Sequence, residues 1–585
     1  MAASTLVQKP GTAGCVADTN ANAQCTAGVA LGNANELVVS PDGQNVYVAA
    51  EFSDAVAVFD RAAGGALTQK AGTAGCVAAP DAGFGLPPGA CATGIGLKGA
   101  EAIAISPDAR NVYVGSFLGD AVAVFDRAAD GTLTQKAGLA ACVSDTGSGP
   151  CADGTGLDRV AAVTVSSDGR SVYAAGEDSD TIAVFDRAAD GTIAQKPGVA
   201  GCVSDTGAGP CLDGAALDDI VQLAMSPDGR SIYATAFSGN AVAVLDRGLD
   251  GSLAQKAGAA GCVSETTAAG CAFAKALHGT RSVTVSPDGA TLYVAVPGSA
   301  AVAVFDRGTD GALTQKAGSA GCISGNETGG ACTPGRGLSG AASVAVSPDG
   351  ASVYVPTMSL GLYGGIIERF SGQLTILDRA ADGTLTQAAG PAGCVSENGT
   401  GGTCADGTAV DGVTDAAVSP DGRNVYVAGY AAAAVLIFDR TSTPRPAADV
   451  TPPLLRKLKF SPNRFRALAR GGAVVTRGGG RISYRLSEPA SVVFGVQRAI
   501  GGRRVGGRCL AARASNRSAR RCDRYRDVTG NFRQAGATGR NTLRFSGRLR
   551  KRALAAGRYR LAAIAGDAAG NKSTVQVVRF TIVRR

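Results

Sequence analysis

A chain of 585 residues is long for one domain, and it is nearly half apolar yet poor in aromatics, without tryptophan and rich in glycine. The glycine follows no G-x-y period, so collagen is excluded and a β protein with many tight turns is indicated. Net charge is +8, but from Thr451 onward 32 Lys and Arg face four acids (Glu488, Asp523, Asp527, Asp567), so the front is about −20 and the tail about +28.

The start, MAASTLVQKPG, lacks the charged and apolar regions of a secretory leader. It runs straight into Leu6-Val7-Gln8-Lys9-Pro10-Gly11, which looks like a strand met again later. A leader is expected to have been removed or to lie upstream. No apolar run reaches the roughly 20 residues that span a membrane as a helix.

A phrase close to S-P-D-G then recurs, beginning at Ser40, Ser106, Ser166, Ser226, Ser286, Ser347 and Ser419. An apolar stretch precedes each copy. N/S-V-Y-V, a variable loop, A-V-A-V-F-D-R, a D-G turn and L-T-Q-K-A-G follow. These are four strands rich in β-branched and aromatic residues, joined by glycine turns. Strand three, as in Ala121 to Phe125, is apolar on both faces, which suits sheets stacked around an axis. Asp42-Gly43 and its copies are turn residues, and Asp60-Arg61 and its copies are expected to pair locally at a strand end. The last copy stops after Ile437-Phe438-Asp439-Arg440 with no LTQK. The first strand of the chain is therefore expected to complete the seventh blade and hide its open edge.

Between blades the cysteines fall in local pairs: Cys15/Cys25, Cys76/Cys91, Cys142/Cys151, Cys202/Cys211, Cys262/Cys271, Cys322/Cys332, Cys394/Cys404 and, in the tail, Cys509/Cys522. Without CxxC spacing and with one histidine in the chain, disulfides are indicated rather than zinc. They place the protein in an oxidising compartment, secreted or at the cell surface. Asp- and Gly-rich loops such as Ser144-Asp145-Thr146-Gly147 are explained by turn chemistry. No metal and no cofactor is expected.

Through SPDG, VYV and VAVFDR the unit resembles the YVTN and lactonase-type seven-bladed β-propellers, over about three quarters of the chain. The implied fold class is all-β: a propeller of four-stranded blades over residues 1–445, a linker at 446–452, and a second domain at 453–585.

Binding is expected where blades differ, on the face formed by the loops after strand two and before strand one. These loops carry Glu51 and Glu177, and the sixth blade inserts Met358 to Phe370, adding Tyr363, Glu368 and Arg369. Four or five residues before each SPDG serine stand Glu36, Glu101, Gln222, Arg281 and Asp415, with His278 just upstream of Arg281. These side chains are expected at the mouth of the central channel. The resemblance implies lactone ring opening, with Arg281 polarising the carbonyl and Glu101 or His278 activating water. No GxSxG, Walker A or HExxH motif offers another chemistry.

After Asp449-Val450-Thr451-Pro452-Pro453 the repeat ends and arginine dominates short alternating runs, among them Arg481 to Leu486, Ser491 to Val496, Arg558 to Leu561 and Val575 to Val583. About seven strands suggest a β-sandwich, and the S-E-P-A-S-V-V-F strand and G-R-Y-R-L…D-A-A-G-N-K-S ending resemble bacterial Ig-like domains. Without stacking aromatics, nucleic acid is a poorer fit for 453–585 than an anionic cell-envelope polymer. Three functions stay open: an exported scaffold binding a small molecule or protein on its variable face, a hydrolase of the 6-phosphogluconolactonase type, and a structural or adhesive surface module.

Overall fold

The computed structural model describes residues 5–18, 22–82, 86–145, 147, 150–207, 209–266, 270–326, 330–363, 366–441, 453–505, 508–550, 552–566 and 573–584, with the backbone alone described at 359–371 and 508. The chain divides into two compact units, Met1–Arg445 and Pro446–Arg585. The linker expected at 446–452 lies outside the described residues.

The first unit is all-β. One sheet illustrates the repeat: Ala100–Ile105, Asn111–Ser116 and Ala121–Arg127 form an antiparallel meander. The SPDG turn joins the first two strands, where the Ser106 hydroxyl donates to Asp108 at 2.5 Å and accepts the Asn111 N–H at 3.0 Å. The expected fourth strand is split. Leu133–Gln135 pairs with the end of strand three (Phe125↔Gln135), a 3₁₀ turn at Gly138–Ala141 intervenes, and Cys142–Ser144 pairs with its beginning (Ala123↔Cys142). The break falls at Gly138, whose φ of 59° is a conformation glycine adopts at little cost. Ala152–Asp153 then pairs in parallel with the cysteine strand, and the Cys142–Cys151 bond closes the loop between them.

Among the described residues of this unit there are seven such sheets. Their strand-three residues are buried on both faces, and each sheet shares an apolar core with the next. Tyr426 and Val435 near the end of this unit pack with Val46 and Phe59 near its start. Thr5–Gln8 pairs with Ala434–Thr441 (Leu6↔Arg440), and Cys15–Asp18 pairs with the same strand (Cys15↔Leu436). These repeated sheets are consistent with a seven-bladed β-propeller.

The cysteines of this unit bond in the local pairs expected. Besides Cys142–Cys151 these are Cys15–Cys25, Cys76–Cys91 and Cys202–Cys211. Cys262–Cys271, Cys322–Cys332 and Cys394–Cys404 complete the set. In each pair the first cysteine opens a strand and the second stands just before the short parallel strand beside it, as Cys25 precedes Thr26–Gly28 and Cys91 precedes Ala92–Thr93. Seven bonded pairs fit an oxidising, extracellular or periplasmic setting.

The repeated Asp-Arg pair does not close on itself, contrary to the local pairing expected. Neighbouring residues on a strand point to opposite faces, so the two side chains part. The aspartate takes the lysine of its own LTQK, as in Lys136–Asp126 at 2.8 Å. The arginine crosses to the preceding blade. Arg127 donates to the Tyr47 hydroxyl at 2.7 Å, Asp42 at 2.8 Å and Asn45 at 2.6 Å. The same clamp recurs at Arg61, Arg187, Arg247, Arg307, Arg379 and Arg440. Arg61 reaches Asp421 of the last blade, so the clamps close the ring.

In the second unit, Leu455–Ser461, Gly480–Leu486, Gly539–Phe545 and Val474–Val475 form one sheet. Arg464–Phe465, Gln576–Ile582, Gly557–Gly566, Ala490–Val505, Arg508–Ala511 and Arg521–Gly536 form another. Alternation sends Phe460, Phe494, Phe532, Phe545 and Phe580 into one shared core, where Phe460 stacks on Phe580 at 4.7 Å between ring centres. Cys509–Cys522 is bonded.

Candidate functional site

Near the start of most inner strands the pairing slips by one residue, as between Ala34 and Glu36, Ala100 and Ala102, Ile220 and Gln222, and Val413 and Asp415. Such a bulge turns two consecutive side chains toward one side. This explains why the polar residues stand at two offsets from SPDG: Glu101 holds the bulge position and Glu36, Gln222 and Asp415 the next, while Arg281 stands just before the strand Ser282–Val285 at the same offset as Glu101.

Together these inner-strand positions line a cavity of about 350 Å³ with Asn35, Glu51, Glu177, Ser343 and Tyr430. That volume suits a small ligand. A third ring of side chains comes from the residue right after strand two, Glu51, Phe117, Glu177, Phe237 and Tyr430, with Met358 inside the longer strand Ser352–Tyr363 of the sixth sheet; all line the cavity. Sequence reasoning took Glu51 and Glu177 from this ring and missed Tyr430. The fixed offset from the VYV strand was the signal that could have found it.

The carboxylates divide by their partners. Glu36 accepts the Ile103 N–H of the next blade at 2.7 Å and Gln222 Nε2 at 3.4 Å. Asp415 accepts the Leu37 N–H at 3.1 Å and the Ser343 hydroxyl at 2.8 Å. Both therefore tie blades together while lining the cavity. Burial raises both above the usual carboxylate range, and for Glu36 the charge of Asp415 adds to it. Glu101 differs. Burial, then the charges of Glu51 and Glu177, push it up, while the Arg281 guanidinium and a hydrogen bond from Asn35 hold it back, leaving it at about 7. Glu177 is raised chiefly by burial. Tyr430 donates to Glu51 at 3.1 Å and is also pushed up, first by burial and then by Glu51. A group poised near neutrality in a cleft is suited to proton transfer.

The disulfides stand apart from this site. Each sheet runs from its cavity-lining inner strand to the cysteine strand and its parallel partner at the opposite edge. Cys25, Cys91, Cys151, Cys211, Cys271, Cys332 and Cys404 lead into that outermost strand, and no cysteine is among the described residues lining the cavity. They are staples at the rim of the unit.

His278 is not part of this site. It is exposed, and its N–H donates to the Ser299 hydroxyl at 3.2 Å. Thr280, two residues on, is buried with its hydroxyl on the Ala236 and Ala241 carbonyls, which fixes the turn that leaves His278 on the solvent side. The side chains of Tyr363, Glu368 and Arg369 lie outside the described residues. Among the described residues, acid groupings of metal-binding size occur at Glu177, Asp178 and Asp219 and at Asp180, Asp218 and Asp219, each with an exposed member; the remaining cavity carboxylates form none.

Residues 35–144 match the family described as Lactonase, 7-bladed beta-propeller. This stretch carries Glu36, Glu51 and Glu101. No curated protein matches the chain. Among solved structures, it is similar to a candidate 6-phosphogluconolactonase from Bacteroides uniformis (18% identity, 70% of this chain and 92% of that one, TM-score 0.41). It is also similar to the periplasmic gluconolactonase PpgL of Pseudomonas aeruginosa (18%, 64% and 85%, TM-score 0.38) and to the hydrazine synthase of Kuenenia stuttgartiensis (15%, 71% and 96%, TM-score 0.42).

Proposed function

We propose that the protein is an exported hydrolase of the lactonase type, opening a small lactone in the channel cavity. The observation that carries this reading is Glu101, held at about 7 and facing the electrostatic influence of Arg281 in a cavity of ligand size. The family match over residues 35–144 supports the same reaction class.

In this reading the ionised Glu101 takes a proton from water as the water oxygen attacks the lactone carbonyl carbon. The carbonyl electron pair moves onto its oxygen, where Arg281 offsets the charge. Collapse breaks the ring C–O bond, and the leaving alkoxide takes the proton back from Glu101. The product is a hydroxy acid, whose new carboxylate meets Glu51 and Glu177 at the cavity wall and is driven out.

The same acidic lining selects the substrate. Among the described lining residues five carboxylic acids accompany one guanidinium, so an uncharged sugar lactone fits and a phosphorylated one is repelled. Acid release from glucono-δ-lactone and from 6-phosphogluconolactone, followed at constant pH, tests this. The first is expected to turn over at least tenfold faster, and Glu101→Gln to lose about a hundredfold or more. An inert wild-type protein across a panel of such lactones would leave the variable face as a non-catalytic binding surface. For residues 453–585 we propose an Ig-like domain that attaches the enzyme to anionic envelope polymer, given its basic charge.

A further inference from the structure

Resting on that attachment reading, one surface can be singled out. In the sheet of Leu455–Ser461, Gly480–Leu486 and Gly539–Phe545, alternation turns Phe460, Ile482, Tyr484, Leu543 and Phe545 into the core. The opposite face carries the basic residues. Arg456, Arg485 and Arg540 stand directly opposite one another across three strands. A second row follows with Ser461, Arg481 and Arg544, and between them lie Lys459, Ser483 and Thr542. Arg456, Lys459, Arg481, Arg485 and Arg540 are exposed, and Arg544 is half-buried with Nη1 donating to the Gly478 carbonyl at 3.2 Å.

Like charges directly opposite on neighbouring strands, about 5 Å apart, repel each other. The three strands carry no acid, so this repulsion is not relieved from within the sheet. The outer face of the other sheet is different, mixing Val493, Ile564 and Val577 with Arg560 and Arg579. A field of guanidinium forks with hydroxyls between them matches phosphate oxygens better than a point charge would. With every aromatic of these strands turned inward, no base could stack on it.

We infer that this sheet face binds a linear phosphodiester polymer without bases, of the poly(glycerol phosphate) kind, running across the two arginine rows. The test uses the full-length protein and immobilised poly(glycerol phosphate). Replacing Arg456, Arg481, Arg485, Arg540 and Arg544 by Gln is expected to weaken binding at least a hundredfold and to flatten the salt slope by about 3. Replacing Arg513, Arg517, Arg520, Arg521 and Arg524, in the ribbon of Ala490–Val505, Arg508–Ala511 and Arg521–Gly536 that Cys509–Cys522 closes, is expected to change it less than threefold. Arg485→Lys, which keeps the charge and removes the fork, is a fold-neutral second variant expected to bind about fivefold more weakly.

Equal losses from the sheet and ribbon variants would overturn the inference, as would tighter binding of an oligothymidylate of equal phosphate number. So would wild-type protein that does not bind the polymer yet stays on isolated cell walls, an outcome that leaves the attachment reading intact. Polymer binding without wall retention would keep the sheet face and remove the attachment reading.

Discussion

The two units use arginine in opposite ways. In the propeller unit each repeated arginine is buried against the aspartate, tyrosine and turn of the blade before it, as Arg379 is against Asp288 and Tyr293. In the second unit the described ion pairs reduce to Arg558–Asp523, and arginines face arginines across strands. Where the charge is matched it serves the fold; where it is unmatched and exposed it costs the fold something and points outward. The difference is testable at single residues.

The largest effect is expected at a clamp. Arg379→Ala leaves Asp288 and the Tyr293 hydroxyl without their guanidinium, and breaking such a pair from one side costs about 3–5 kcal/mol. Arg485→Ala, on the exposed sheet face, should stay within about 0.5 kcal/mol of wild type. Urea unfolding of both variants measures the contrast, and comparable losses would erase it.

A smaller effect comes from the staples. Cys142 and Cys151 close a loop with a sequence separation of 9, and replacing both by serine should cost about 2–3 kcal/mol by freeing the unfolded chain. The short parallel strands that the bond joins should lose hydrogen-exchange protection first. Unchanged protection there would mean that the ladder, not the disulfide, holds the loop.

How much of this was legible in the sequence follows from range. SPDG, VYV and the D-G turns act within a few residues, so blade number, the order of the first three strands and turn chemistry could be read directly, whereas the split of the fourth strand and the parallel strand after it could not. The cysteine pairs, such as Cys202 with Cys211, were legible for the same reason. The clamp could not be read. Arg127 finds Tyr47 and Asp42 across 80 and 85 residues, and only the stacking of blades brings them together. The pocket was half legible. Counting back from SPDG found Glu36, Glu101, Gln222, Arg281 and Asp415, because position along an inner strand sets its height in the channel. The bulge that turns both columns inward was hidden, and with it Asn35. His278 was misplaced because a residue three before Arg281 is still on a loop, where strand geometry fixes nothing. The arginine rows were also hidden, since they exist only in the register of three strands far apart in sequence.

Glu101 sharpens the comparison from inside the propeller, as a charged group held against the fold's interest. Its carboxyl is raised to about 7, chiefly by burial. In the unfolded chain it titrates near 4.3. The stability this group contributes is therefore full below that unfolded value and is lost as pH rises through about 7. Glu101→Gln should lie close to wild type near pH 4.5 and exceed it by about 3–4 kcal/mol at pH 8, while the proposed activity disappears. Parallel stability curves for the two proteins across that window would show that the site bears no such cost.

The smallest effect belongs to the arginine rows themselves. If Arg481 and Arg485 repel Arg544 and Arg540, salt should relieve them, because exposed charges are screened within about 10 Å at 0.1 M ionic strength. Replacing Arg481 and Arg485 by threonine removes half of each contact and supplies a strand-favouring side chain. Hydrogen-exchange protection along Gly480–Leu486 and Gly539–Phe545 should then rise by a few tenths of a kcal/mol at low salt and converge with wild type at about 0.5 M, where screening has already done the same work. The propeller clamps, buried at their guanidinium ends, should ignore the same salt change. Protection in both units that moved together with salt would mean that the second unit's arginines are relieved within the fold, and the contrast between paired and unpaired charge would fail.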